Sequence, residues 1–266
     1  MTNLITTPHL SVIVPVRNSS ATIKEALASV FAQTFKEFEI IVIDGLSSDG
    51  TVSILKTYAG QISWLSERDS GTSDAINKGI RRARGKYITT LLADDNFADP
   101  NVFERAMELL RANPSVDMLF ATVRRIDPSG MAPTREFPSV VTELHRRTAL
   151  HLPGAFFKKS ALGQDELNLE YKLANDYEFV CRLLFGRKLK AMVTPDVYMV
   201  MRLGGMSGAT QNDFRSSYEK FLVRRKYYGA GLAWKFAIGA YIVSGLRALR
   251  IRPFTWYRKA KHFISQ

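Results

Sequence analysis

Two apolar runs separated by one amphipathic helix constrain the fold of this chain most. The runs are residues 10–16 and 39–43, and each has the near-continuous apolar composition of a buried parallel strand. Between them, residues 21–33 place Ile23, Leu27 and Val30 at helical spacing. A strand, a helix and a second strand form a βαβ unit, which implies a parallel sheet with right-handed crossovers. We therefore predict an α/β fold with a mostly parallel central sheet.

The same alternation continues along the chain. It predicts strands at 62–65, from Tyr87 onward, at 116–123 and at 193–200, and helices at 72–84 and 101–112. Two boundaries depend on single residues. Because Pro15 cannot donate a ladder hydrogen bond, we expect the first strand to end at Val14. Because glycine is favoured just past a helix end, we expect Gly85 to close the helix at 72–84.

Two adjacent carboxylates, Asp94 and Asp95, follow the strand that begins at Tyr87. They cannot both lie inside a strand, because successive side chains point to opposite faces and one carboxylate would enter the core. At the carboxyl end of a strand both can face a crevice, which is where open α/β sheets bind ligands. Such a pair suits a hard cation held together with the phosphates of a ligand. A solvated turn that caps the next helix is the alternative.

Composition limits the class of protein. The 266 residues suit one large domain, or one domain with an appendage. The single cysteine, Cys181, excludes an internal disulfide framework and fits a reducing compartment. No secretory signal is visible in residues 1–8, so we expect a cytoplasmic location. No Gly-x-Gly-x-x-Gly follows a predicted strand and no phosphate-loop motif is present, which argues against dinucleotide binding and against a phosphate-loop nucleotidase.

Several motifs, in order along the chain, resemble those of glycosyltransferase family two. The opening motifs are residues 11–18 (SVIVPVRN) and 41–51 (IVIDGLSSDGT). The motifs that resemble the branch building bacterial surface polysaccharides are residues 66–79 (SERDSGTSDAINKG), 93–95 (ADD), 151–157 (HLPGAFF), 175–179 (NDYEF) and 202–207 (RLGGMS). Together they extend from about residue 9 to about residue 208.

The resemblance implies the Rossmann-like nucleotide-diphospho-sugar transferase fold called GT-A. It implies an inverting, metal-dependent hexosyltransferase that acts in surface polysaccharide biosynthesis at the cell envelope. The donor would be a nucleotide-diphosphate sugar, with a UDP-sugar favoured, and the acceptor a hydroxyl of a saccharide or of a lipid-linked saccharide. The donor-binding residues that it implies are Pro15, Arg17, Asn18, Asp44, Asp69, Asp94, Asp95 and Arg202.

Two of these residues are expected to contact the nucleobase. Asp44 would accept a hydrogen bond from a base N–H, and an Asx-turn before Gly45 is the alternative. Arg17 stands where relatives usually have an aromatic residue. Its guanidinium plane can also stack on a base, and a solvated loop charge is the alternative. Asp74 and Asn77, which share a helix face, are weaker candidates than Asp69 for the same cleft.

The metal motif departs from the common form of the family. Many relatives have Asp-x-Asp-Asp, whereas Leu92 occupies the first position here. The resemblance then implies that Asp94 faces the ribose and that Asp95 is the metal ligand. A cation that keeps several waters needs only one or two protein carboxylates, so we expect Mn²⁺ or Mg²⁺ as cofactor. The departure at Leu92 puts the affinity for metal in question.

The resemblance implies that Asp176 is the general base. A helix is predicted from Leu173, and a capping box between Asn175 and Glu178 is the alternative explanation of this segment. Arg202, before the glycine pair 204–205, would neutralise the leaving diphosphate. His151 is a further candidate for donor or acceptor contact, with a structural histidine as the alternative.

The last part of the chain differs in composition from the rest. We predict a GT-A domain at residues 1–212 and a basic helical extension at 213–266, where much of the net charge of +12 lies. Residues 229–249 are largely apolar and could just cross a bilayer. Lys235 and several glycines favour instead a helical hairpin on the anionic inner face of the plasma membrane. A helical subdomain that covers the sheet is the alternative, and nucleic acid is a minor third candidate that we do not expect.

A second candidate function belongs to another class: a catalytically silent nucleotide-sugar-binding module of an assembly complex. The departures at Arg17 and Leu92 favour that module, whereas Asp94, Asp95 and Asp176 together oppose it.

Overall fold

The computed structural model describes residues 8–127, 134–137, 139–144, 150, 152–202 and 213–238. His151 and the glycine pair 204–205 lie outside these residues. The strands are β1 (Leu10–Val16), β2 (Phe38–Asp44), β3 (Ser63–Ser66), β4 (Tyr87–Thr90), β5 (Asn96–Phe97), β6 (Met118–Ile126), β7 (Arg135–Phe137), β8 (Phe156–Lys158) and β9 (Ala191–Arg202). The helices are α1 (Ile23–Phe31), α2 (Thr51–Thr57), α3 (Thr72–Arg82), α4 (Val102–Ala112), α5 (Lys159–Leu162), α6 (Asn175–Cys181) and α7 (Asp213–Tyr228).

The described strands form one sheet in the order β3-β2-β1-β4-β8-β6-β9-β5, and β7 pairs with β6. Strands β3, β2, β1 and β4 run parallel. Strand β8 is antiparallel to both of its neighbours, so β6 again runs parallel to β4, and β9 runs parallel to β6. The prediction of a mostly parallel central sheet is therefore confirmed.

The predicted end of β1 at Val14 is wrong. The strand continues to Val16, and Pro15 pairs with Ile43 of β2. On the other side of β1, pairing with β4 stops at Ile13. Proline is tolerated because no paired strand on that side requires an N–H from residue 15.

Gly85 does not have the predicted role at the end of α3. The C-cap position is Ala83, whose backbone is extended rather than left-handed. A Cβ on Gly85 would lie 2.6 Å from the backbone nitrogen of Ser11 and 2.7 Å from the carbonyl carbon of Leu10. The glycine is therefore required by close approach to β1 and not by a helix cap.

Apolar side chains cover both faces of the sheet. On one face Val12 and Val14 pack with Leu27 of α1 and Phe103 of α4. On the other face Ile13 belongs to a second cluster that is shared with helices α3, α6 and α7. Alternation along β1 thus sends successive side chains into different clusters, as expected for a strand covered on both sides.

Helix α7 packs against the body of the protein. Val223 is fully buried in the second cluster, although residue 213 is the predicted start of a separate extension. The division of the chain into 1–212 and 213–266 stays a prediction. In the part of the chain that the structure describes, no helix combines the length and apolar character needed to cross a bilayer. The apolar stretch at 229–249 continues beyond these residues.

Candidate functional site

The carboxyl ends of four parallel strands meet at one edge of the sheet. Val16 pairs with Asp44, and Asp44 pairs with Ser66. Strand β4 ends nearby, because its last residue, Thr90, pairs with Ile13 of β1. The loops at 17–20, 45–50, 67–71 and 91–95 therefore leave from this edge, as the sequence predicts for a ligand crevice.

Asp44 is completely buried at the end of β2. Its Oδ2 atom accepts hydrogen bonds from the Ser47 backbone N–H at 3.1 Å and from the Ser66 hydroxyl at 2.6 Å. The Ser47 hydroxyl donates to Oδ1. Three of the roughly four acceptor positions of the carboxylate are thus used within the protein. The hydrogen bonds from Ser47 are those of a local turn after Asp44, which is the alternative role for this residue. Base recognition by Asp44 stays a prediction.

Asn18 connects the loop after β1 to the loop after β2. Its backbone N–H donates to the Ser47 hydroxyl at 2.8 Å, and its Oδ1 accepts the Ser48 N–H at 2.9 Å. Its φ of +50° is unusual for a residue other than glycine and is one that asparagine tolerates well. Arg17 precedes it with an exposed side chain at the same edge. Stacking of Arg17 on a base stays a prediction.

The Asp69 side chain approaches the loop that follows Asp44. Its Oδ1 accepts the Gly71 N–H at 3.0 Å. Its Oδ2 lies so close to Gly45 that a Cβ on that glycine would be 2.3 Å away. Gly45 therefore lets the Asp69 carboxylate approach the backbone directly after Asp44.

Asp74 and Asn77 are occupied in structural contacts. Asp74 accepts the Ser70 N–H at 3.0 Å and lies 3.5 Å from the Lys78 ammonium. Asn77 is buried, and both atoms of its amide bond the backbone of Leu167 at 2.8 Å. These contacts fix the start of α3 and the loop that crosses it, so we assign neither residue to the crevice.

Asp95 is buried beside the half-exposed Asp94, with only 1% of its surface accessible. Its Oδ1 accepts the backbone N–H of Arg202 at 3.2 Å. Its Oδ2 is also buried, and no hydrogen-bond donor reaches it among the described residues. Burial, together with the neighbouring Asp94 charge, raises the pKa of the Asp95 carboxyl to about 7, although Arg125 and Arg202 act in the opposite direction.

The Asp95 site fits a divalent cation. A buried carboxylate oxygen without a donor is costly by itself, and a hard cation would satisfy it. No group of three or more acidic, histidine or cysteine side chains suited to a metal occurs within the described ranges. Water and the phosphates of a substrate can supply further ligands, as Mg²⁺ and Mn²⁺ sites commonly allow. Leu92, at the position departing from the family motif, is half-buried.

Arg202 and Arg125 place positive charge near Asp95. The Arg202 guanidinium forms an ion pair with Glu25 of α1, so its predicted contact with a diphosphate stays a prediction. Arg125, on β6, lies over the Phe137 ring at 4.4 Å and lowers the pKa of Asp95. The sequence interpretation missed Arg125 because it ended that strand at Val123.

The capping box that was the alternative explanation of this segment is not formed. The N-cap is Ala174, which has no capping side chain. Glu178 is buried away from the helix start, where it accepts hydrogen bonds from the Tyr227 hydroxyl at 3.0 Å and from Arg182 at 3.3 Å. Packing against α7 therefore decides the direction of Glu178.

Asp176 lies in the first turn of α6 and is connected to the crevice edge. The Asn175 amide beside it donates to the Ser73 hydroxyl at the start of α3, and the loop containing Asp69 leads directly into α3. Burial raises the pKa of the Asp176 carboxyl, whereas the Tyr177 N–H and the Lys220 charge lower it. The structure thus brings the Asp176 helix next to the β3–α3 loop.

Two solved structures resemble this fold closely. The mannosyltransferase PcManGT from Pyrobaculum calidifontis, in complex with GDP-Man and Mn²⁺, matches with a TM-score of 0.66 and 18% identity over 98% of this chain and 85% of that chain. Staphylococcus aureus TarS residues 1–349, in complex with UDP-GlcNAc, matches with a TM-score of 0.65 and 18% identity over 92% of this chain and 74% of that chain. At such identity the likeness establishes the fold, which is GT-A.

Comparison with sequence relatives and with a family model shows which family the chain belongs to. An uncharacterized glycosyltransferase of Rickettsia prowazekii (strain Madrid E) is 30% identical over 190 residues, which are 65% of this chain and 58% of that protein. A PGL/p-HBAD biosynthesis glycosyltransferase of Mycobacterium tuberculosis (strain ATCC 25177 / H37Ra) is 26% identical over 213 residues, which are 75% of this chain and 79% of that protein. The chain thus spans less than two thirds of the rickettsial relative. The family model for glycosyl transferase family 2 matches residues 11–173, more than half of the chain. This protein therefore belongs to glycosyl transferase family 2.

Proposed function

We propose that this chain is an inverting, metal-dependent glycosyltransferase that uses a nucleotide-diphosphate sugar. The observation that carries the proposal is the buried Asp95 oxygen, which no donor among the described residues reaches, at the crevice edge of a GT-A sheet. A purely structural carboxylate would be expected to have both oxygens satisfied, because burial of an unpaired acceptor costs about 1–3 kcal/mol. A cation shared with a diphosphate explains why this oxygen is left open.

The donor is proposed to lie across the loops at the carboxyl edge. Residues at the ends of β1 and β2 would contact the nucleobase, and Asp94 would contact the ribose. Asp95 would hold Mn²⁺ or Mg²⁺, which when bound supplies positive charge against the leaving diphosphate. Arg125 and Arg202 would add positive charge near Asp95, where both already lower the pKa of its carboxyl. The residues proposed for the nucleobase are Pro15, Arg17, Asn18, Asp44 and Asp69.

The chemical step is proposed to be a single in-line displacement. Asp176 would accept the proton of the acceptor hydroxyl as that oxygen attacks the anomeric carbon, while the bond from that carbon to the diphosphate oxygen breaks and the nucleoside diphosphate leaves. Burial raises the pKa of the Asp176 carboxyl, which makes its carboxylate a stronger base than an exposed aspartate. Because no covalent intermediate with the protein is formed, the configuration at the anomeric carbon is inverted.

The relatives support a broad substrate class, nucleotide-sugar donors. A solved neighbour holds UDP-GlcNAc and another holds GDP-Man, and a relative is named a PGL/p-HBAD biosynthesis glycosyltransferase. We propose a UDP-hexose donor and a saccharide or lipid-linked acceptor of the cell envelope. The reducing compartment suggested by the single cysteine favours the cytoplasmic side of the membrane.

Removal of divalent metal is expected to separate this proposal from a silent binding module. With Mn²⁺, UDP should bind to the full chain, and chelation should weaken binding at least about tenfold, which corresponds to about 1.4 kcal/mol. Slow hydrolysis of the matching UDP-sugar should require the same metal. Calorimetry and chromatographic detection of released UDP measure the two effects.

A panel of nucleotide-sugars decides the donor. A ligand at 100 times its Kd stabilises the folded state by about 2.7 kcal/mol, which a thermal-shift assay detects. Stabilisation by a donor without hydrolysis or transfer under any condition would support the silent module. No stabilisation by any nucleotide or nucleotide-sugar, with or without metal, would contradict both functions.

We also propose that the extension at 213–266 contacts an anionic membrane surface. In its described part, Trp234 and Ile238 are 56% and 57% exposed. They are four residues apart on one helical segment and therefore share a face, with the exposed Lys235 beside them. An aromatic and an aliphatic side chain beside basic residues is the pattern of interfacial helices.

Replacement of both apolar residues, Trp234→Ser with Ile238→Ser, should reduce co-sedimentation with anionic vesicles. High salt should weaken binding of the unchanged chain, because attraction is worth about 1 kcal/mol per basic residue and is screened within a Debye length. Val193→Ser is the control, since Val193 is an exposed apolar residue on β9 and lies outside 213–266 in the sequence. Equal sedimentation of the double variant and the control, or none with the unchanged chain, would count against a membrane role.

A further inference from the structure

The carboxylate of Glu219 on α7 holds the loop that precedes α6. Its Oε2 accepts the backbone N–H groups of Leu173 at 2.7 Å, Ala174 at 3.0 Å and Lys172 at 3.0 Å. Its Oε1 lies 3.1 Å from the Lys172 nitrogen and 2.9 Å from the Arg215 guanidinium. Only 5% of Glu219 is exposed. One buried side chain thus binds three successive backbone donors.

This arrangement keeps Glu219 charged. Burial by itself would raise the pKa of its carboxyl, but the Leu173 N–H, the Arg215 guanidinium and the other donors lower it below the ordinary value. Hydrogen bonds from backbone N–H groups to a charged carboxylate are roughly twice as strong as those between neutral groups. The loop at 172–174 is therefore fixed to α7 by ionic hydrogen bonds and not by packing alone.

The position of this loop determines where α6 begins. Ala174 is the N-cap of α6 and has no capping side chain, although the Asn175 and Asp176 side chains accept the next backbone N–H groups, those of Asp176 and Tyr177. Glu219, from another helix, bonds the Ala174 N–H and so supplies an acceptor at the position where a capping side chain would act. Asp176 follows two residues later, so its position depends on the position of Ala174.

The next residue of α7 also acts on Asp176. The positive charge of Lys220 lowers the pKa of the Asp176 carboxyl, which requires the two groups to be near each other. Two successive residues of α7 therefore act on the start of α6. Glu219 bonds its backbone, and the charge of Lys220 acts on the Asp176 carboxyl.

We propose that Glu219 is a positioning residue for sugar transfer, through which α7 holds Asp176 in the orientation that accepts the acceptor proton. This inference rests on the proposed role of Asp176 as the base. It makes α7 part of the active-site architecture, whatever the rest of the extension does. The nucleotide would be held by loops on other strands, so donor binding should not depend on Glu219.

The test is Glu219→Gln in the full chain. Glutamine keeps the size, removes the charge and places an NH₂ group against backbone donors. We expect kcat to fall roughly 10- to 100-fold, the scale for a misplaced catalytic group. Donor Kd should stay within about twofold, which is about 0.4 kcal/mol. The matched control is Arg215→Gln, which removes an exposed partner of Glu219 and leaves the backbone bonds in place; it should change kcat by less than about twofold, because those backbone bonds and not the Arg215 ion pair hold the loop.

A double variant separates positioning from general damage. If Glu219 acts through Asp176, Glu219→Gln should have no further effect on transfer once Asp176→Asn is present. A full additional loss in the double variant would overturn the inference, as would a folded Glu219→Gln protein with unchanged kcat. If Asp176→Asn alone keeps normal turnover, the base assignment in the proposed function fails instead, and the two failures are distinguishable.

A milder variant covers the case in which glutamine prevents folding. Glu219→Asp keeps the charge on a shorter side chain, so it should fold and show an intermediate loss of kcat. Amide hydrogen exchange at Lys172, Leu173 and Ala174 should then be faster than in the unchanged chain. Unchanged exchange at these amides, or faster exchange with unchanged kcat, would overturn the inference.

Discussion

Asp176→Asn is expected to lower sugar transfer by roughly 100-fold or more, the usual scale for a lost general base. Asparagine keeps the size and most hydrogen bonds but cannot take up the proton of the acceptor. Donor and metal should bind almost normally, because the nucleotide is proposed to lie on the loops around Asp44 and Asp95. Transfer rate, donor Kd and melting temperature, all measured on the same variant, provide the comparison.

The competing explanation is that Asp176 only stabilises the start of α6. A carboxylate in the first turn of a helix contributes about 0.3–1 kcal/mol, so turnover would then be largely kept. Asp74→Asn is the matched control, because it removes a carboxylate from the first turn of α3 at the same edge of the sheet. It should change stability by a similar amount and leave transfer close to normal.

Normal turnover in Asp176→Asn would require a different base. Two other carboxylates near Asp176 in the sequence are Glu178 and Asp165. Glu178 is buried against Tyr227 and Arg182, and Asp165 forms ion pairs with Arg182 and Arg187. Both carboxylates are already paired with cations inside the protein, which makes each a weaker candidate than Asp176.

Local patterns in the sequence predicted the fold well, because the features that define it are local. Near-continuous apolar runs predicted strands β1 and β2. Helical spacing predicted the buried face of α1, where Ile23, Leu27 and Val30 are fully buried. Pro15 shows the limit of such rules. Its tolerance depends on where the neighbouring strand β4 stops, which no local pattern encodes.

The candidate site was only partly predictable for the same reason. Motif resemblance made Asp95 and Asp176 candidates, and both stay predictions, but it did not indicate the satisfied, buried state of Asp44, which depends on Ser66 from a neighbouring strand. Arg125 and Glu219 were missed because their importance comes from contacts with distant parts of the chain. Glu219 lies 45 positions after Ala174, and only the packing of α7 brings them together.

Asp95→Asn is expected to have opposite effects on metal-free stability and on metal-dependent donor binding. Burial raises the pKa of the Asp95 carboxyl from an ordinary value near 4 to about 7. Between these pH values the folded state binds more protons than the unfolded state, so the free energy of unfolding falls as pH rises. At pH 8 the raised pKa lowers the free energy of unfolding by on the order of 4 kcal/mol, and the change to asparagine removes this loss.

The measurement is urea unfolding at pH 8 and at pH 4, with a chelator and with Mn²⁺ plus UDP. With the chelator, Asp95→Asn should be more stable than the unchanged chain at pH 8, and the difference should shrink toward pH 4. With Mn²⁺ and UDP at 100 times Kd, only the unchanged chain should gain about 2.7 kcal/mol. Asp94→Asn is the control, because it removes the neighbouring charge but keeps the proposed ligand, so its gain with the chelator should be smaller.

The two halves of this result test different statements. Equal stabilisation of both proteins by Mn²⁺ and UDP would show that Asp95 is not the metal ligand, even if the pH effect is found. Absence of the pH effect would show that the Oδ2 atom of Asp95 has a hydrogen-bond donor in solution. The argument for a cation at that atom would then fail. If both effects occur, the chain keeps a carboxylate that destabilises its metal-free fold, which is expected where a buried charge is retained for a bound ion and not for stability.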